Sequence, residues 1–182
     1  MKNAAIVLVT VLLAGCCAID TAAQTSIPKR FPLWNFDEVN YTCRAKGRLQ
    51  DKGYCESKLM DKIIAAGKPA IPVLISQLTE VRPTKEPIYD FWVETTAGDV
   101  AYFVLTNLFT DSDWKTFNMP GLEALQDNCS DPAETCWRRF LRKHGRKFVQ
   151  DNWLAAWEAN KDRIYWNDKA RCFRVPKASS SK

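Results

Sequence analysis

The stretch from Gly67 to Leu78 constrains this chain more than any other. Ile71, Leu74, Ile75 and Leu78 recur at i, i+3, i+4 and i+7, which is one face of a 3.6-residue helix. Burial of each such side chain contributes roughly 1.5–3 kcal/mol. Pro69 and Pro72 stand at the start, where a missing N–H costs little. Upstream, Leu59, Met60, Ile63 and Ile64 form a shorter stripe that Gly67 stops. Residues 57–80 therefore read as two antiparallel helices joined by Gly67-Lys68-Pro69. A further helix follows at Thr96, where Val100, Val104 and Leu108 repeat at i+4 with Ala101 and Leu105 beside them. Thr96 stands three residues before Asp99, the spacing of a capping box, and Asp99 suits the positive end of the helix dipole.

The pattern Gly67-x-Pro69-Ala70-Ile71-Pro72-x-Leu74-Ile75-x-x-Leu78, followed by Gly98-Asp99-Val100-Ala101-x-x-x-Leu105-x-x-Leu108, resembles HEAT-type helical repeats. The resemblance implies a short α-α superhelix of stacked helix pairs whose work is to bind other proteins. It covers residues 57–110. Fewer than two repeats are recognisable, where a free-standing array needs three or more. The link from Val81 to Thr95 is also long for a connection between repeat helices. A plain helical bundle with helix pairs of this shape is the second reading of the same residues. Under both readings the fold class is all-α, with a non-helical N-terminal arm and a small extended C-terminal end.

Residues 1–23 read as a secretory signal: a positive start at Lys2, then an apolar run from Ala4 to Leu13 too short to span a bilayer. Two cleavage readings stand. Leu13-Ala14-Gly15-Cys16 resembles a bacterial lipobox, which would end the signal at residue 15 and lipidate Cys16. Thr21-Ala22-Ala23 satisfies the small-residue rule for ordinary cleavage before Gln24. Both readings place the mature protein outside the cytosol: in the periplasm, anchored at the envelope, or extracellular. Residues 24–56 form an arm and a cysteine loop, 57–176 the helical domain, and 177–182 a Ser/Lys-rich tail expected to be disordered.

In the arm, Phe31, Leu33, Trp34 and Phe36 are expected to pack onto the body. Export makes disulfides the default for the cysteines, so Cys43 is paired with Cys55 and Cys129 with Cys136, leaving Cys172 unpaired or bridged elsewhere. A metal reading is poor, because His144 is the only histidine and lies far from the first cysteine pair. Asp111 and Asp113 lack the glycine and glutamate that would complete a calcium loop. No cofactor is expected. Asn40-Tyr41-Thr42 and Asn128-Cys129-Ser130 match the N-glycosylation pattern.

Asp131-Pro132-Ala133-Glu134 is the clearest helix start in the chain, with an N-cap Asp and Pro at the first helical place. The helix that follows buries Trp137, Phe140 and Leu141 and ends at Gly145. Its other face carries Arg138, Arg139, Arg142 and Lys143, with Arg146 and Lys147 just beyond. A last helix runs from about Lys147 to Asn160 with Phe148, Trp153, Ala156 and Trp157 inward. Asp162–Asn167 and Arg171–Val175 read as a short extended end, open to forming a small hairpin and placed to cap the helices.

The formal charge of +5 favours anionic surfaces or acidic partners, but it is below what a dedicated nucleic-acid binder shows. There is no Gly-rich phosphate loop, Gly-x-Ser-x-Gly elbow or paired-histidine motif. The leading reading is an exported, non-catalytic helical scaffold for protein–protein interaction. Its contact residues would be Arg138, Arg139, Arg142 and Lys143, together with Tyr89 and Trp92 of the loop at 81–95. Two alternatives remain. Seven tryptophans and five tyrosines suit a carbohydrate or envelope-polymer binder if several are exposed. A pair of carboxylates assembled only in space would suit a small hydrolase.

Overall fold

In the computed structural model, residues 27–35, 58–85, 94–110, 119–125, 129–131 and 133–176 are described. The signal segment with Cys16, the Cys43–Cys55 pair, Phe36, Tyr89, Trp92 and the Asp111/Asp113 motif lie outside them.

The described chain is mostly helical. Helix α1 (Lys58–Ala66) ends where Gly67 turns into the left-handed region at φ 65°. Helix α2 (Ala70–Gln77) starts behind Pro69, and Ile71, Leu74, Ile75 and Leu78 are all 2% exposed or less. The stripe read from the sequence is thus a core face. Helix α3 (Ala97–Phe109) packs against α2 and is buried along most of its length. Its start is the expected capping box, with Thr96 and Asp99 bonded reciprocally.

Helix α4 (Ala133–Asn160) is two arms joined at Gly145, whose φ of 79° and ψ of 161° are not helical. The sequence separates these arms at the same glycine. The C-terminal arm meets α2 through Gln150, whose Nε2 donates to the Ile75 carbonyl at 3.0 Å and that of Ser76 at 3.2 Å. At its end Asn160 donates to Pro120 O at 3.1 Å, holding the turn before a short 3-10 segment (Glu123–Leu125); Leu125 in that segment and Leu122 just before it are buried. Strands β1 (Tyr165–Asn167) and β2 (Cys172–Arg174) then form an antiparallel hairpin with Trp166 opposite Phe173. The hairpin closes the core: Phe173 lies 5.7 Å from Phe109, and Phe109 5.6 Å from the fully buried Trp153. The Cys172 thiol is buried there.

The N-terminal arm is clamped as expected. The Gln77 side chain, 1% exposed, accepts from Phe31 N–H at 2.9 Å and donates to Phe31 O at 2.8 Å, so an amide side chain stands in for a neighbouring strand. Arg30 pairs with Glu80, and the Arg82 guanidinium lies 4.0 Å over the Trp34 ring. Among the described residues no helix is long and apolar enough to cross a membrane.

Candidate anion-binding cleft

The link between α2 and α3 is closed at its base. Thr84 N–H donates to Thr95 O at 2.9 Å, Ala97 N–H to Arg82 O at 2.8 Å, and Gly98 N–H to Glu80 O at 2.9 Å. The chain leaving α2 thereby satisfies donors at the start of α3, which a helix cannot satisfy internally. This approach is tight. A Cβ on Gly98 would sit 2.6 Å from Leu78 O and 2.7 Å from Glu80 O, so the position requires glycine. The stem delivers Glu94 and Thr95 to the edge of α4.

Asp99 is the hub beneath them. Its Oδ2 accepts from Thr96 N–H at 2.8 Å and Thr96 Oγ1 at 2.7 Å. Its Oδ1 accepts from Trp137 Nε1 at 2.7 Å and from Arg146 Nη2 at 2.8 Å. One carboxylate therefore caps α3 and ties it to both arms of α4. The Asp99 side chain is 9% exposed and that of Arg146 20%, so little water competes for the pair. Arg146 Nη1 is buried beside Gly98 without an acceptor among the described residues. Trp137 stacks on Tyr102 with ring centroids 3.8 Å apart. Burial pushes the Tyr102 phenol up to about 12 against a weaker lowering by Thr106.

Above this hub lies an open cleft of about 210 Å³. Its apolar wall is Trp137 and Leu141, and its polar wall is Arg138, Arg142 and Arg146, facing Glu94 and Thr95. Arg138 and Arg142 are one turn apart on the first arm of α4 and share a side, while the break at Gly145 turns Arg146 toward the same space. Arg138 is half-buried and reaches Glu94 at 3.7 Å. Glu94 is 86% exposed, and its backbone is left-handed at φ 59°, unusual for a residue with a Cβ. Arg142 is exposed and makes no ion pair with the described residues.

The cleft thus gathers two of the four basic residues singled out from the sequence, Arg138 and Arg142. Arg139 is turned away and pairs with Asp131, the residue expected to cap this helix. Lys143 is exposed outside the cleft. Sequence reasoning missed Asp99, Trp137 and Arg146 as members of one network. The four-residue spacing of the arginines was a usable signal; the Asp99–Arg146 pair, 47 residues apart, left none.

His144 is exposed, and its ring lies between Phe140 at 4.6 Å and Phe148 at 4.8 Å, with no acid or nucleophile described against it. Among the described residues no group of three His, Cys, Asp or Glu could hold a metal. None of the described tryptophans is exposed; Trp34 and Trp166 are half-buried, and Trp137, Trp153 and Trp157 are buried. The Cys129–Cys136 disulfide is present, with Cα atoms 5.8 Å apart, at the start of α4. No protein-family model, curated protein or solved structure matches this chain.

Proposed function

We propose that this protein is an exported, HEAT-like helical scaffold that binds an acidic protein partner through the arginine side of α4. The cleft carries the reading. Arg138 and Arg142 stand at an open, partly apolar concavity backed by a rigid hub, and Arg142 has no ion pair with the described residues. A cation left unpaired beside apolar walls on a fixed frame is suited to a partner's anionic group. The α1–α2 hairpin turned at Gly67 and the packing of α2 on α3 support the repeat-like architecture. The signal-like residues 1–23 and the disulfide at the start of α4 support export.

Neither alternative gains comparable support. Sugar stacking asks for exposed aromatic rings, and none of the described tryptophans is exposed. In this cleft the carboxylates are Glu94 and Asp99, and both oxygens of Asp99 already accept protein donors.

The test is capture of partners from the native envelope or culture fluid by the mature protein and by Arg138→Glu/Arg142→Glu. The double variant is expected to fold, because it keeps Asp99, Arg146 and Trp137, and to lose most capture at low salt, where screening is least. Unchanged capture at every salt concentration would refute the assignment.

A further inference from the structure

The N-terminal arm sits in a seat made by one short stretch of chain. Gln77, Glu80, Arg82 and Lys85, all within nine residues, hold Arg30 to Trp34. Gln77 reads the Phe31 backbone through both its N–H and its carbonyl. Lys85 N–H donates to Trp34 O at 3.0 Å. Glu80, whose side chain is 13% exposed, takes the Arg30 guanidinium, and Arg82 covers the Trp34 ring. Phe31 and Leu33 are buried, and the turn from Leu33 to Asn35 packs on α3. The arm also carries its own shape. Leu33 N–H donates to Phe31 O at 2.8 Å and Asn35 N–H to Pro32 O at 2.9 Å. Pro32 biases Phe31 toward extended backbone. These local restraints travel with the segment, so it is preorganised for any copy of the seat.

Within the described chain, the arm is joined to the body through residues 36–57. Those 22 residues reach roughly 70 Å when extended, and roughly 40 Å if Cys43 and Cys55 are bridged. A domain of this size has a radius of gyration of about 15 Å. The length of the connection therefore leaves a neighbouring copy's seat within reach.

We infer that residues 27–35 are exchanged between two copies of this chain, each arm filling the other's seat at Gln77–Lys85 to form a reciprocal dimer. A second copy is the occupant because it carries the one segment whose fit to the seat is shown, from Arg30 through Phe31, Pro32 and Leu33 to Trp34. The contacts of arm and seat are the same in the closed monomer and in the exchanged pair, so concentration sets the balance. An arm tethered in its own chain acts at an effective concentration in the millimolar range, and exchange takes over as the protein approaches it. This surface is separate from the arginine cleft and does not rest on the partner proposed for it.

The test uses the mature, disulfide-intact chain. A ¹⁵N-labelled population and a ¹³C-labelled one are incubated together at about 1 mM. The Gln77 side-chain NH₂ of one copy should show an isotope-filtered NOE to Phe31 of the other, and the dimer should decline on dilution to about 10 μM. The Arg30–Glu80 pair supplies a second measurement. Arg30→Glu and Glu80→Arg each oppose like charges within a single copy, whereas in their mixture each arm meets its opposite charge only in the other chain's seat. Mixing should raise the dimer fraction at least threefold over either variant alone, less so at high salt. Arg30→Glu/Glu80→Arg in one chain should return to native behaviour. Arg30 is exposed, so its replacement leaves the fold in place; if Glu80→Arg fails to fold, the NOE between native copies decides. A chain that stays monomeric at about 1 mM, a dimer whose Gln77–Phe31 NOE stays within one copy, or a mixture no more dimeric than its parts would each overturn the inference. If a monomeric chain instead binds the acetylated, amidated peptide of residues 27–35, the seat serves another protein's segment and exchange falls.

Discussion

Replacing Asp99 with alanine would remove the cap of α3 and the tie between α3 and α4 in one step. Three losses are involved. The cap accounts for about 1 kcal/mol. The Trp137 indole N–H, in a residue 7% exposed, would lose its acceptor, worth about 1–3 kcal/mol. The Arg146 guanidinium would lose its carboxylate, and breaking a fully buried pair costs about 3–5 kcal/mol. That last figure is reduced here, because the Arg146 side chain keeps 20% of its surface and can reach water. The three share one carboxylate and do not add. The expected cost is about 3–4 kcal/mol, a large share of the roughly 5–15 kcal/mol that holds a domain folded. Urea unfolding with the disulfide intact reads it as a lower midpoint at unchanged slope. Asp99→Asn, which keeps the shape but turns an NH₂ toward one of two donor sets, should cost about 2–3 kcal/mol. Asp99→Ala with Arg146→Met should cost at least about 1 kcal/mol less than the sum of the single changes. A loss below about 1 kcal/mol for Asp99→Ala, or strict additivity with Arg146→Met, would refute the hub.

Leu74→Ala should cost about 2–5 kcal/mol in the same assay, since Leu74 is fully buried at the centre of the α2 face; a change under about 0.5 kcal/mol would contradict that packing. Gly98→Ala sets two effects against each other. Helix propensity alone predicts a gain of about 1 kcal/mol, but the new Cβ would strike the Leu78 and Glu80 carbonyls, so a net loss of about 1 kcal/mol or more is expected, and a stabilised variant would disprove the close approach. Although Tyr102 as a residue is only half-buried, burial of its phenol raises its ionisation to about 12 from 10.0. The folded state then holds the proton that the unfolded chain releases, so this contribution is complete below pH 10 and is lost as pH rises toward 12, on the order of 2 kcal/mol. Stability of the native protein should therefore fall faster across that window than stability of Tyr102→Phe, and parallel curves would remove the buried phenol from the account.

The cleft explains why a basic helix face read from sequence is not one surface. Arg138, Arg139, Arg142 and Lys143 look equivalent in composition, yet Arg139 is spent on Asp131 while Arg138 and Arg142 border a concavity with Trp137. The difference is one of angle around the helix. Residues four apart share a face, and neighbours in sequence do not. On a straight helix Arg146, about two turns past Arg138, would drift out of this row; the break at Gly145 is where its arm is redirected onto Asp99.

Local chemistry alone determined much of the described chain. The α2 stripe, the stop at Gly67, the Thr96–Asp99 box, the break at Gly145 and the Cys129–Cys136 bridge all act over a few residues. Helix period, left-handed glycine and capping geometry are properties of short segments, so each could be read before any packing was known. The tertiary structure decided what those segments do for each other. Gln77, polar on an apolar helix, is buried because its amide matches the backbone of Phe31, 46 residues away. Asp99 is a local cap by sequence, but its second oxygen answers to Trp137 and Arg146 on a helix that folds back over it. The cleft depends on that same crossing, since its walls come from α4 and its rim from the stem before α3. A hydrogen bond between distant residues depends on where the whole chain brings two groups, and periodicity carries no record of that; only the packed structure could place Arg142, which has no ion pair among the described residues, beside Trp137 in an open cleft.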